Sequence, residues 1–206
     1  MKILVSGHTG FVGEHLLRKL KCLDLNCQID FLTKSDFQSR SDLANKISPD
    51  DIIFHFAGVN RDVNEEKVYE KNIEINQLLY SALEDIKFKG KLLFTSSTQE
   101  ELNTMYGKAK KNARLKFEEQ SNSLNYLFYG IITPNIFGPF CKPNYNSFIA
   151  TLSYKILNKL VPTAWKNLAC VLMGETLTND KKYRPFINGI TISPKKNFCI
   201  MKVWTA

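Results

Sequence analysis

At 206 residues with 44% hydrophobic composition, the chain can bury one proper core and carry a modest appendage. Its formal charge of +8 comes from lysines scattered among helical and loop segments, with no long basic stripe. The charge therefore reads as solvated surface, and a nucleic-acid partner is not expected. The apolar start Ile3-Leu4-Val5 is broken by Gly7 too soon for a signal peptide or membrane span, so a soluble, cytoplasmic protein is expected. Cys22, Cys27, Cys141, Cys170 and Cys199 form no CxxC pair and have no histidine at ligand spacing, which excludes a recognisable disulfide frame or metal site.

Strand-like apolar runs alternate with helix-length stretches. Lys2 to Ser6 predicts the first strand and Phe11 to Lys21 the first helix. Gln28 to Leu32 predicts the second strand, followed by a helix over Phe37 to Lys46. Asp51 to Phe56 and Asn64 to Asp85 repeat the unit, as do Lys91 to Thr95 and Thr104 to Asn122. A fifth strand, Tyr126 to Ile132, then leads through a Pro/Asn-rich loop to a helix over Asn146 to Leu160. This alternation predicts an α/β fold: a Rossmann-like doubly wound parallel sheet, truncated, over residues 1–160. Beyond it lies a short α+β C-terminal extension, residues 161–206. In it Trp165 to Met173 reads as helical, and Phe186 to Ser193 and Phe198 to Thr205 read as β.

Gly7-His8-Thr9-Gly10-Phe11-Val12-Gly13 follows the first strand and opens the first helix. A tight turn at Gly7, close approach of backbone to a pyrophosphate at Gly10 and close helix packing at Gly13 make this a dinucleotide cradle. Thr9, Phe11 and Val12 supply the rest of the loop and the first helical N–H groups. The second strand ends Phe31-Leu32-Thr33-Lys34-Ser35, without the acid that usually binds a ribose 2′-hydroxyl. Lys34 suits a 2′-phosphate, favouring NADP, although Asp30 and Asp36 lie close enough to keep NAD open. Small residues in Phe56-Ala57-Gly58-Val59-Asn60 would let the cofactor lie across the sheet edge, with Ala57, Gly58 and Asn60 nearest to it.

Tyr106 and Lys110 stand four residues apart, on one face of a helix. A free phenol titrates near pH ~10, and a neighbouring ammonium is expected to lower that value by stabilising phenolate. Such a tyrosine can exchange a proton with a carbonyl or hydroxyl while a nicotinamide exchanges hydride. Ser97, just after the fourth strand, is placed to hydrogen-bond the same substrate oxygen.

These residues resemble the extended short-chain dehydrogenase/reductase (NAD-dependent epimerase/dehydratase) family over Met1 to Leu160. More narrowly they resemble the bacterial capsule and O-antigen reductases acting on UDP-2-acetamido-2,6-dideoxy-hexos-4-uloses. The narrow likeness is carried by Phe56 to Arg61, by Tyr106 with Lys110, and by Pro134-Asn135-Ile136-Phe137-Gly138 followed by Cys141-Lys142-Pro143-Asn144-Tyr145-Asn146-Ser147. The resemblance implies NADPH-dependent reduction of a 4-keto nucleotide sugar on a route to UDP-N-acetyl-L-fucosamine. Ser97 would polarise the carbonyl, Tyr106 donate the proton and Lys110 activate the tyrosine. Asn135, Lys142, Asn144 and Asn146 would contact the nucleotide sugar, and the two long helices would form a homodimer. The chain departs from the pattern at Tyr129-Gly130, where those reductases have a tyrosine-arginine step.

The segment from about Pro162 to Ala206 is similar to a middle part of the cap-binding translation initiation factor family, through Ala164-Trp165-Lys166, Leu172-Met173-Gly174-Glu175-Thr176 and Lys202-Val203-Trp204-Thr205. It lacks the cap-stacking tryptophans of that family, so cap binding is not expected; Lys195 and Lys196 read as solvated. Two further readings remain beside the reductase. One is a catalytically inactive dinucleotide-binding or interaction protein, a truncated fusion remnant. The other is an RNA-associated module built on the tail.

Overall fold

Along Lys2–Ser6 (β1), Leu4 is buried in one core cluster and Ile3 and Val5 in another. A strand buried on both faces belongs inside a parallel sheet with helices on either side. The computed structural model, which describes residues 1–23, 26–160, 191–192 and 198–200, has that architecture.

Phe11–Cys22 forms α1, Gln28–Leu32 forms β2 and Arg40–Lys46 forms α2. Ile52–His55 (β3) and Glu65–Asp85 (α3) follow, then Lys91–Ser97 (β4), Met105–Leu124 (α4) and Leu127–Thr133 (β5). These five strands pair in parallel in the order β2-β1-β3-β4-β5. The fold is therefore Rossmann-like α/β. Beside β5 the backbone of Phe198–Ile200 pairs in parallel, with Gly130 opposite Phe198; the two-residue strand Thr191–Ile192 lies outside it. Here Thr191–Ile192 is β6 and Phe198–Ile200 is β7. The expected helix over Trp165 to Met173 and the remainder of the two expected tail strands fall outside the described residues.

Leu43, Ile47, Leu79, Leu83 and Phe117, from α2, α3 and α4 and the turn after α2, fill one side of the sheet against Leu4, Ile53, Leu92 and Phe94. On the other side Leu16, Leu17 and Leu20 of α1 cover Ile3, Val5, Ile29 and Phe54.

Helix starts follow side-chain caps. Ser39, Asn64, Thr104 and Ser147 are the N-caps of α2, α3, α4 and of Phe148–Leu157 (α5), and each accepts a backbone N–H from the first turn. The expected helix over Phe37 to Lys46 is divided for the same reason. Ser39 is extended and caps α2, which leaves a separate 3-10 turn over Asp36–Gln38. Asn125, in the left-handed region at φ 59, ends α4. β4 runs two residues beyond Thr95 because Ser96 and Ser97 pair with Ile132 and Thr133 of β5.

The chain forms two compact units, residues 1–134 with 192–201 and residues 135–191 with 202–206. Among the described residues no helix is long and apolar enough to cross a membrane, and no three His, Cys, Asp or Glu side chains are grouped to hold a metal. Cys22, Cys27 and Cys141 are free thiols.

Candidate active site

The strand order reverses between β1 and β3, and the glycine loop sits at that switch, where open α/β sheets bind ligands. Gly7 has φ +66, and a Cβ there would come 2.8 Å from the Ala57 nitrogen at the end of β3. A Cβ on Gly13 would collide with the Gly7 carbonyl, so the first turn of α1 lies directly on the loop. Gly10 is the N-cap of α1 and has no side chain to close the helix end. The amides of Phe11, Val12 and Gly13 thus open α1 beside exposed Thr9 and Gly10, a cradle of the kind that accepts a pyrophosphate.

At the end of β2, Lys34 is exposed, whereas Asp36 is engaged locally. Its carboxylate accepts from the amide and hydroxyl of Thr33, both at 2.6 Å, and pairs with Lys46 at 3.1 Å. Burial raises the Asp36 pKa, but the Thr33 and Lys46 interactions outweigh it and hold the group below its ordinary value. Asp30 accepts from the Phe31 amide.

Lys110 lies on α4 beneath the ends of β3 and β4. Its ammonium donates to the Thr95 carbonyl at 3.0 Å, lies 4.7 Å over the Phe94 ring, and is 5.9 Å from the centre of the Tyr106 ring. A Cβ on Gly58 would come 3.5 Å from the Lys110 Nζ and 2.8 Å from the Oδ1 of Asn72. The structure thus brings the Ala57-Gly58 segment, Tyr106 and Lys110 together; Ser97 ends β4, the strand whose Thr95 carbonyl holds Lys110. Burial lowers the Lys110 pKa to about 8, opposed by the carboxylate of Glu100. The Tyr106 phenol is raised by burial, not lowered as the sequence leads one to expect; the Lys110 ammonium donates to the Thr95 carbonyl instead. In this arrangement the phenol is held protonated.

Four residues escape sequence reading. Asn72 of α3 is fully buried; its side chain accepts from the Val59 amide at 3.1 Å and donates to the Val59 carbonyl at 2.6 Å, clamping the segment after β3. Beneath it, Ser6 Oγ accepts the amides of Phe56 and Ala57, so its hydrogen goes to His55 Nδ1, 2.7 Å away. His55 then carries its proton on Nε2 and donates to Asn76 Oδ1 at 3.1 Å; Asn76 donates in turn to the Asn72 carbonyl. Burial, aided by the charge on Lys110, depresses the His55 pKa to about 3 and keeps this imidazole neutral. The helical position of Asn72 and Asn76, four residues apart in an otherwise ordinary amphipathic pattern, was the available signal.

Asn135, Lys142, Asn144 and Asn146 all belong to the second compact unit and are exposed. Asn144 has a left-handed backbone at φ 55, and its amide donates to Thr151 of α5 at 2.8 Å. Asn60, after Gly58, is also exposed. The space over Gly130 is occupied by Arg114: a Cβ at position 130 would come 3.1 Å from the arginine Cγ and Cδ.

Residues 3–187 match the NAD dependent epimerase/dehydratase family. The chain is 34% identical over 163 residues to the UDP-2-acetamido-2,6-beta-L-arabino-hexul-4-ose reductase of Pseudomonas aeruginosa, a match covering 78% of this chain and 42% of that protein. Among solved structures it is similar to the capsular polysaccharide assembling protein CapF of Staphylococcus aureus, with 28% identity and a TM-score of 0.59 over 79% of this chain and 42% of the other. It is also similar to a UDP-glucose 4-epimerase of Thermotoga maritima, at 18% identity and a TM-score of 0.64 over 78% of this chain and 64% of the other. This last likeness speaks to fold alone. The chain spans less than half the length of the Pseudomonas and Staphylococcus proteins.

Proposed function

The chain belongs to the NAD dependent epimerase/dehydratase family, and from that premise we propose that it is an NADPH-dependent reductase of a 4-keto-6-deoxy nucleotide sugar of the UDP-HexNAc type. It would serve surface polysaccharide biosynthesis in the cytoplasm, with α3 and α4 as the helices of a homodimer. The observation that carries the reading is the placement of Lys110, whose ammonium lies 5.9 Å from the centre of the Tyr106 ring and faces Gly58, next to the Ala57 that packs against Gly7 of the glycine loop. The relation to the Pseudomonas reductase supports the choice of substrate class.

The backbone at residues 7–13 and the small residues Ala57 and Gly58 fit a dinucleotide, whose nicotinamide supplies hydride when bound. Tyr106, held protonated by burial, gives its proton to the substrate carbonyl oxygen as the carbon becomes an alcohol carbon. Ser97 Oγ hydrogen-bonds that oxygen and orients it. Lys110, positively charged below about pH 8, stabilises the phenolate that Tyr106 leaves behind. Asn72 keeps the segment after β3 in place. Asn135, Lys142, Asn144 and Asn146 take the nucleotide sugar. The commitment of Asp36 to Thr33 and Lys46 withdraws the nearest acid from a ribose diol, which supports NADPH over NADH, with Lys34 reading the 2′-phosphate.

Fluorescence titration with NADPH and NADH, followed by nicotinamide absorbance on addition of a UDP-4-keto-6-deoxy-HexNAc, tests this directly. Tyr106→Phe is expected to lower kcat by roughly 10²- to 10⁴-fold while leaving NADPH affinity unchanged. Turnover by the parent should decline as pH rises through about 8 and Lys110 loses its proton. Binding without turnover would replace the reductase with a cofactor-binding protein. Binding of neither nucleotide would sink both.

A further inference from the structure

Beneath Ser97, Tyr106 and Lys110 lies an ion pair to which proton and hydride transfer assign no part. Glu100 belongs to the 3-10 turn Thr98–Glu101 between β4 and α4, and Arg114 stands one helical turn beyond Lys110. Their side chains are only 5% and 8% exposed. The Arg114 Nε donates to both carboxylate oxygens, at 2.8 and 3.0 Å, and Nη2 donates to Oε2 at 2.7 Å. Ser96 Oγ donates to the same carboxylate. The arginine stem reaches it by crossing Gly130 of β5, where there is no side chain to obstruct it.

A buried pair of this kind is a poor way to gain stability, because desolvating two charges offsets most of their attraction, and apolar residues of similar volume often serve as well. What the pair does possess is fixed geometry. A planar guanidinium and a carboxylate joined by parallel hydrogen bonds tolerate little rotation or sliding. That rigidity is applied where the candidate reacting groups meet. Ser97 caps the Thr98–Glu101 turn by accepting the Gln99 amide at 3.2 Å, so the direction of its hydroxyl depends on the turn. The Gln99 carbonyl packs directly on Gly107, the neighbour of Tyr106. Thr133 donates to the Ser96 carbonyl at 2.7 Å and ties the end of β4 to β5. Any slack at Glu100 therefore passes to Ser97 on one side and to Tyr106 on the other.

We propose that Glu100 and Arg114 are positioning residues, clamping the Thr98–Glu101 turn to α4 and so setting Ser97 and Tyr106 at reacting distance from one substrate oxygen, with Lys110 beside the phenol. Neither touches the reacting atoms. The inference rests on the reductase reading of this site. Glu100 has a second effect, since its charge opposes the desolvation of Lys110, beside which stand neutral His55 and the protonated Tyr106 phenol.

The test compares the parent with the neutral double variant Glu100→Gln/Arg114→Met and with Arg114→Lys, which keeps the charge and loses the fork. Tm, NADPH affinity, kcat, KM and the Lys110 titration are measured, the last by ¹³Cε NMR assigned with Lys110→Met. The double variant is expected to bind NADPH within about twofold of the parent and to lose kcat on the order of 100-fold, with KM little changed, because misplacement by about an ångström suffices for such a loss. Its Lys110 should titrate lower than in the parent. Arg114→Lys should be intermediate in kcat and stands as the test if the double variant does not fold. A folded double variant with kcat near that of the parent overturns the proposal, as does an Arg114→Lys protein with unaltered kcat. If the parent itself shows no turnover, the reductase reading fails separately. The Lys110 titration of Arg114→Lys, in which Glu100 keeps its charge, then decides: a midpoint displaced from that of the parent supports the clamp, and an unmoved one overturns it.

Discussion

On the β1–α1 side of the candidate site, contacts are made by backbone: the Gly7 carbonyl against Gly13, and Gly7 against Ala57. On the β4–α4 side they are made by buried polar side chains, Glu100 with Arg114 and Lys110 with the Thr95 carbonyl. Under the proposed function the difference follows from what each side would hold. A pyrophosphate is recognised by N–H groups at a helix end, and bringing them close requires that side chains be absent. Proton transfer needs particular side-chain atoms at particular distances, and those atoms must be held by partners of their own. His55 joins the two sides, hydrogen-bonded through Ser6 to β1 and packed on Phe94 of β4 and Phe117 of α4.

Gly13→Val should break the backbone side most severely. Its branched side chain has to displace the Gly7 carbonyl, and a loss of about 3 kcal/mol in stability is expected in urea denaturation, together with loss of NADPH binding. Unchanged binding would mean that the loop yields more readily than its packing implies. His55→Phe keeps an aromatic ring but leaves the Ser6 hydroxyl and Asn76 side-chain oxygen without their partner, at a cost of about 2 kcal/mol. It should also remove part of the acid sensitivity of the fold. Between about pH 6.5 and 3 the unfolded chain takes up a proton that buried His55 refuses, so this residue makes stability fall as pH falls. Urea titrations of parent and variant across that interval should differ in slope, and parallel curves would remove His55 from the account. Lys34→Ala should have the smallest effect. An exposed ion pair to phosphate contributes up to about 1 kcal/mol, so NADPH affinity should weaken by about fivefold while NADH affinity stays the same. An equal loss for both nucleotides would disqualify Lys34 as the phosphate reader.

The alternation of elements was legible because each depends on local spacing: β1, α1, β2, α3 and α4 begin or end within two residues of the expected positions. The interruption of the second helix at Ser39 was not foreseen, since a serine inside a helical pattern reads equally as a surface residue or as a cap. The extension of β4 through Ser96 and Ser97 depended on pairing with β5, which a serine-threonine cluster does not announce. Asn72 was missed for a related reason. Its significance lies in Val59, thirteen residues away across a loop, and the Asn72–Asn76 spacing marks a shared helix face without announcing that partner.

By itself the sequence determined the glycine-loop cradle, the Rossmann-like order of strands and helices, and the Tyr106–Lys110 spacing, because each is a property of neighbours within one turn or one strand. Only the tertiary structure decided that burial holds Tyr106 protonated, that Asp36 is committed to Thr33 and Lys46, that His55 is a neutral link, and that Arg114 crosses Gly130 to reach Glu100. Desolvation and long-range hydrogen bonds arise from residues brought together by the sheet, and their partners have no regular separation along the chain.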